Sequence, residues 1–382
     1  MTRPAQNSRR EFLKAGVALA AVAAVPHAAF AQAAGPAVAA AFAPKPGKWR
    51  DFEVVTVLDV KPVEGKAGPA RANVTQAWVP LPSYTASDWM KPGESTWKTN
   101  AATAEVVKDP HYGAQMLHLT WAEGEEKPTV EITTRFSTRD RATDFTKPGT
   151  VAALTPDERA LFLAATDLIP TDGIVKATAD KITAGKASDL DKSRAIYEWV
   201  VENTYRNAAT RGCGTGDVAS LLASGNLGGK CADLNALFVG LNRAAGIPAR
   251  DLYGIRVAPS AFGYKSLGAN SPTISKAQHC RAEVWLDGFG WVATDPADVR
   301  KVVLEEPPGK NAMDDAKVLA ARKALFGSWE GNWLAYNDGH DIALPGSSGP
   351  KLGFLMYPQA EVASLRHDCL DPDAFAYVIK AS

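Results

Sequence analysis

Between Gly228 and Arg250 the chain has few structural options. It reads Gly-Gly-Lys-Cys-Ala-Asp-Leu-Asn-Ala-Leu-Phe from Gly228 to Phe238 and continues apolar. Leu234, Leu237, Phe238, Leu241 and Ala245 have the spacing of a buried helix, and Gly246 followed by Pro248 marks its C-terminus. Cys231 therefore stands in the first turn, directly after two glycines. Unpaired N–H groups and the helix dipole favour negative charge there. A thiol that ordinarily titrates near ~8.5 can fall to roughly 3.5–7.5 in such a place and be thiolate at neutral pH. The same N–H groups can hold an oxyanion, and Gly228 and Gly229 let a substrate backbone approach closely. A buried cysteine on its own is equally well explained as a small apolar residue. What lifts Cys231 above that reading lies downstream.

After the helix, Arg250 to Val257 reads as a strand, and residues 258–277 form a long loop containing Ser, Gly and Pro. Loops of that length are usually functional or disordered, and this one could cover a site. Gln278 to Leu286 reads as a second strand, Asp287-Gly288-Phe289-Gly290 as its turn, and Trp291 to Asp295 as the antiparallel return ended by Pro296. Register decides whether His279 and Asp295 can meet. A two-residue turn pairs Leu286 with Phe289 and sends Asp295 to the face away from His279. A three-residue loop pairs Leu286 with Gly290. Asp295 then opposes Arg281 and lies diagonal to His279 on the same face, about 7–8 Å apart and within side-chain reach. The expectation is an odd-length loop or a bulge, with Gly288 or Gly290 at positive φ.

Taken together, these residues resemble the transglutaminase-like superfamily. The resemblance rests on Gly229-Lys230-Cys231 at a helix start, Ala245-Gly246-Ile247-Pro248-Ala249-Arg250 at its end, the His279 strand, Gly288-Phe289-Gly290-Trp291 and Asp295-Pro296, across residues 190–300. It implies an α+β fold: a papain-like transglutaminase core with the thiol helix packed on antiparallel strands, preceded by an N-terminal β-sandwich. It also implies a Cys–His–Asp triad of Cys231, His279 and Asp295, acting on amide bonds of protein or peptide substrates through a thioester. Transfer to an amine and hydrolysis by a protease or amidase share that triad. The chain departs from the family pattern at Arg281, where an aromatic is usual, and no Trp or Gln upstream of Cys231 offers an obvious oxyanion side chain.

The rest of the chain frames this core. Phe52–Val60, Val74–Val79, Met116–Trp121 and Thr129–Phe136 are short, β-branched and aromatic segments separated by turn residues, which suggests a β-sandwich. Pro80 is expected to end the second of them. Thr155-Pro156-Asp157-Glu158 opens a helix with a capping box. A second helix starts at Ser188 and runs to about Tyr205. The Gly-rich stretch Arg211–Asp217 lacks the ending of a phosphate-binding loop and reads as a turn before a helix at Val218–Leu222. Arg9-Arg10 ahead of an apolar, Ala-rich run resembles a twin-arginine export signal with Ala29-Phe30-Ala31 as cleavage site. The run is interrupted by Pro26 and falls short of the ~20 apolar residues of a membrane span, so no stable span is expected after cleavage. The expected division is a signal peptide at 1–31, a linker at 32–46, the β-sandwich at 47–150, the catalytic core at 151–305 and an extension at 306–382. The aromatics of the extension, Trp329, Trp333, Tyr336, Phe354 and Tyr357, are expected to form a satellite core.

Lys plus Arg and Asp plus Glu are both 42, so no basic excess points to nucleic acid. No cofactor motif is present. Among the other cysteines, a disulfide between two of Cys213, Cys280 and Cys369 and three unpaired thiols are both open. A zinc site of Cys213, Cys231, Cys280 and His279 is disfavoured, because no Cys-x-x-Cys spacing occurs and adjacent strand residues such as His279 and Cys280 point to opposite faces. A non-enzymatic protein- or wall-binding module of the same fold is the remaining alternative.

Overall fold

The computed structural model describes residues 41–61, 74–86 and 88–382. The expected signal peptide and residues 32–40 of the expected linker lie outside the described residues. Arg50–Asp59 and Thr129–Thr138 pair antiparallel along their whole length, and Met90–Thr99 forms the outer edge of that sheet. Val54, Thr56 and Leu58 are buried at alternate positions of the first strand, the period of a half-buried sheet. A second antiparallel sheet is built on Thr75–Leu81, flanked by Gln115–Trp121, with Thr103–Lys108 outside it. Inward residues of both sheets, such as Leu58, Ile132, Val79 and Leu119, share one hydrophobic core.

Two of these strands escape period-based reading. Met90–Thr99 contains Pro92 and Gly93 and breaks register between Pro92 and Ser95. A bulge on an edge strand tolerates both residues. Thr103–Lys108 is an exposed edge whose alternation carries little hydrophobic signal. Pro80 does not end its strand, which continues to Leu81 and pairs Pro80 with Met116. The neighbour on the other side reaches only to Trp78. That edge is unpaired at Pro80, so no ladder bond is lost there.

The last quarter of the chain completes both sheets. Gln359–Val362 pairs with Thr75–Trp78 and Tyr377–Ala381 with Val54–Leu58. Trp329, Trp333 and Tyr336 are not a satellite cluster but part of the principal core. Trp333 stacks on Trp89 with centroids 6.1 Å apart, and Trp329 meets the same ring edge-on at 5.1 Å. Long-range pairing brings these large rings against residues some 240 positions away, which a local reading cannot see.

Helices begin where the caps require. Thr155 forms the expected capping box with Glu158 ahead of Pro156–Leu163. Ser188 caps Asp189–Asn203 by accepting from the Asp191 N–H. Gly173–Thr183 is a further helix with its start at Asp172. The helix Cys231–Ala244 is the centre of the fold, with every residue buried but Asp233, and a helix apolar on all sides must be surrounded. It packs on the strand Gln278–Leu286 and against the helices Gly173–Thr183 and Asp189–Asn203. That strand belongs to an antiparallel sheet in the order Gly290–Thr294, Gln278–Leu286, Ala249–Arg256, Trp333–Asn337. A helix at Pro296–Glu305 follows the first of these. Among the described residues no helix is long and apolar enough to cross a membrane.

Candidate active site

Cys231 is the first residue of its helix, after an extended Lys230, and is buried. The Gly-rich turn before it is laced to the helix start. Asp233 accepts from the N–H groups of Thr215 and Gly216 at 2.9 and 3.0 Å and from that of Lys230 at 2.9 Å. Gly214 has φ +95°, and a Cβ there would come within 1.9 Å of the Asp233 carboxylate, so only glycine lets the turn close. The Ala232 N–H donates to the Cys213 carbonyl at 2.8 Å. The first-turn donors are therefore largely used by the protein itself. Of residues 230–232, only Cys231 has an N–H with no protein acceptor among the described residues.

The register expected for the hairpin is the one found. Leu286 pairs with Gly290 and Ala282 with Thr294, and both Gly288 and Gly290 have positive φ. His279 and Asp295 meet as a result, with Nε2 of His279 and Oδ2 of Asp295 2.8 Å apart and both residues buried. Asp295 also caps the helix Pro296–Glu305, its Oδ1 accepting from the Asp298 N–H at 3.0 Å. The aspartate before a proline is thus both a cap and a histidine partner. The charge of the same imidazole acts on the Cys231 thiol and lowers its pKa.

Four further residues hold this arrangement. Asn235, one turn after Cys231, donates to Oδ1 of Asp295 at 3.2 Å and to the Cys280 carbonyl at 2.8 Å, tying helix to strand. Asp298 stands 3.4 Å from Nε2 of His279 but gives both oxygens to Arg256, at 2.6 and 2.7 Å. Arg281 lies 3.8 Å from Asp295 and over the rings of Trp329 and Trp333. A buried polar residue at i+4 from Cys231 was a legible signal for Asn235. Asp298 and Arg256 had none, because their meeting depends on how the strand and the following helix pack.

The protonation pattern follows from these contacts. Burial opposes ionisation of Cys231, yet the neighbouring thiols of Cys213 and Cys280, then His279, hold its pKa well below the ordinary value. Burial and Arg256 oppose a charge on His279, but Asp298 and Asp295 together raise it to about 9. Burial and its neighbour Asp298 push Asp295 upward against the opposing pull of His279. Arg256 overcomes burial to hold Asp298 well below the carboxylate range. The favoured state is a Cys231 thiolate beside a His279 imidazolium. Although His279, Asp295 and Asp298 lie close enough to bind a cation, their carboxylates already face the imidazole and Arg256.

A cavity of about 470 Å³ opens onto Cys231 and His279. One wall is the long loop, from Gly268 to Ala277. Gln278 also lines it, and its buried Nε2 has no hydrogen-bond partner among the described residues. All four cysteines are free thiols. Cys280 lies on the strand face opposite His279, yet its sulfur still reaches the thiol of Cys231. The sulfurs of Cys213, Cys231 and Cys280 lie within 4.8 Å of one another. Strand alternation does send His279 toward Arg256 and Asp298, and Cys280 toward Tyr253 and Met356. It does not dictate which neighbours pack there, and Cys231 interacts with both side chains.

Comparison with known proteins bears on residues 176–296, which match the Transglutaminase-like superfamily, and on residues 6–26, which match the twin-arginine translocation signal sequence. That signal supports export to the periplasm or outside the cell. A protein of Haemophilus influenzae, described as uncharacterized, is 36% identical over 342 residues, covering 85% of this chain and 89% of its own length. Similar solved structures include a candidate cysteine protease from Cytophaga hutchinsonii, at 14% identity and TM-score 0.48, covering 88% of this chain and 99% of that one. The periplasmic domain of TgpA from Pseudomonas aeruginosa is similar at 17% identity and TM-score 0.32, covering 65% of this chain and 88% of that one.

Proposed function

The chain belongs to the transglutaminase-like superfamily, and from that premise we propose that it is an exported cysteine enzyme which transfers or hydrolyses acyl groups of protein or peptide amides. Cys231 is the nucleophile, His279 the proton carrier and Asp295 the group that orients the imidazole and balances its charge. One observation carries the reading: a single imidazole holds a buried carboxylate on Nε2 and interacts with a helix-start thiol inside one cavity. With Nε2 engaged by Asp295, Nδ1 is the nitrogen left to exchange a proton with the sulfur. The β region at 47–150 and the extension at 306–382 are read as the frame around a catalytic core at 151–305.

The thiolate attacks the amide carbon, and the carbonyl oxygen becomes an oxyanion. The Cys231 N–H and the Nε2 of Gln278, unpartnered among the described residues, are assigned as its donors. The His279 proton passes to the leaving nitrogen as the C–N bond breaks, leaving a thioester on Cys231. Neutral His279 then takes a proton from an amine or water, which attacks the thioester and releases the thiolate. An amine gives transfer and water gives hydrolysis.

The test is incubation with a glutamine peptide and a labelled primary amine, scored by mass for amine incorporation, ammonia release and backbone cleavage. An acyl adduct on Cys231 is expected, with turnover lost in Cys231→Ala. Unchanged turnover in that variant, or binding of the peptide with no acyl adduct, refutes the enzymatic reading in favour of a binding module.

A further inference from the structure

Acyl transfer needs one thiol, and this site has three. The buried sulfurs of Cys213, Cys231 and Cys280 lie within 4.8 Å of one another. They arrive from three elements: the Gly-rich turn, the helix start and the histidine strand. Each is tethered through its backbone, Cys213 by the Ala232 N–H at 2.8 Å and Cys280 by the Asn235 amide at 2.8 Å. The thioether of Met356, 3.9 Å from the Cys280 sulfur, adds a fourth soft atom. We propose that Cys213, Cys231 and Cys280 form a binding site for a thiophilic closed-shell metal ion, and that loading this site takes Cys231 out of use.

The geometry and the charge both fit. Three thiolates about 2.3 Å from a zinc-like ion in a plane lie roughly 4.0 Å apart, so the cluster must contract by less than an ångström. Thiolate ligands select ions such as zinc, cadmium or copper(I) over magnesium and calcium. Three thiolates around a divalent ion make a cluster of net charge −1, beside the His279 imidazole, and the thiol protons of the cluster leave as the ion enters. Cys213 and Cys231 both line the cavity, which provides the entry path. Because thiol protons are displaced, affinity rises with pH.

Binding stands independently of the acyl-transfer reading, whereas inhibition rests on it. Cadmium is the probe: the reduced full-length chain is titrated with Cd²⁺, following thiolate-to-metal charge-transfer absorption and alkylation of each cysteine by iodoacetamide. One ion per chain with the absorption of three thiolates is expected. Cys213, Cys231 and Cys280 become protected while Cys369 stays reactive, and a chelator reverses the protection. This mapping uses the unaltered chain, so it holds even where a variant fails to fold. Cys213→Ser and Cys280→Ser should each weaken binding at least tenfold, and Cys369→Ser should leave it unchanged. Absorption of a single thiolate, or affinity insensitive to both cluster variants, overturns the proposal. A chain that binds cadmium in this way but never forms an acyl-Cys231 adduct tells against the enzymatic reading alone.

Discussion

Replacing Asp295 by asparagine tests the imidazole's protonation most directly. Oδ1 of Asp295 accepts from two donors, the Asp298 N–H and the Asn235 amide, while Oδ2 accepts from His279 alone. In the variant the single remaining oxygen stays with the two donors, and the new NH₂ group faces Nε2. That nitrogen must then accept rather than donate. His279 is forced into the neutral Nδ1–H form, which can donate to a thiolate but cannot take a proton from a thiol. Asp298 remains beside Nε2 and keeps part of the rise, so a fall from about 9 toward the ordinary 6.5 costs the thiolate–imidazolium pair up to about 3 kcal/mol, or at most roughly 300-fold in population, at 1.36 kcal/mol per unit. The assay is iodoacetamide alkylation of Cys231 across pH, read by mass. The unaltered chain should react at an even rate through neutral pH. The variant should be slower by about two orders of magnitude at pH 7.5, with its rate rising at alkaline pH as an ordinary thiol ionises. Circular dichroism checks that the retained cap keeps the fold. A variant within threefold of the unaltered rate, with the same pH midpoint, refutes the argument.

Gln278→Ala should leave the alkylation profile of Cys231 unchanged and slow acylation by about 10²–10³-fold, as loss of one oxyanion donor does; equal acylation rates in single-turnover measurements would remove Gln278 from the mechanism. Asp251 is buried with neither carboxylate oxygen hydrogen-bonded among the described residues, and burial, opposed by Arg243, pushes it up to about 7 from the ordinary 3.8. The folded state therefore binds the extra proton between those values, so this group costs nothing below pH 4, and its cost grows with pH up to 7. The full cost is about 4 kcal/mol at 1.36 kcal/mol per unit. Asp251→Asn should accordingly stabilise the chain at pH 8 by up to about that amount and far less at pH 4, measured by urea unfolding; an equal change at both pH values contradicts this account.

Much of the site was legible because its signals are local. The cysteine at a helix start follows from two glycines and an apolar period of 3.6. The meeting of His279 with Asp295 follows from counting residues through one hairpin, since a three-residue loop with glycines at positive φ puts both on one face. The capping box at Thr155 and the cap at Ser188 required only a few consecutive residues. Asn235 could have been found as a polar residue one turn after Cys231 in a helix with an apolar period. In the sequence Gln278 reads only as the start of a strand. Its importance lies in an amide left without a partner beside a cavity, a property of the folded neighbourhood. The strand at Met90–Thr99 was hidden by Pro92 and Gly93, which an edge bulge accommodates.

The amino-acid order by itself determined the identity of Cys231, His279 and Asp295 as one constellation, the α+β class and the export signal, because caps, periodicity and hairpin register act over a few residues and do not need the rest of the molecule. Only the tertiary structure decided that the C-terminal strands close the N-terminal sheets, that Arg256 and Asp298 stand behind the histidine, and that three thiols converge where one was expected. Those outcomes depend on which elements pack against one another, a choice made by burial of surface over the whole chain rather than by any local propensity.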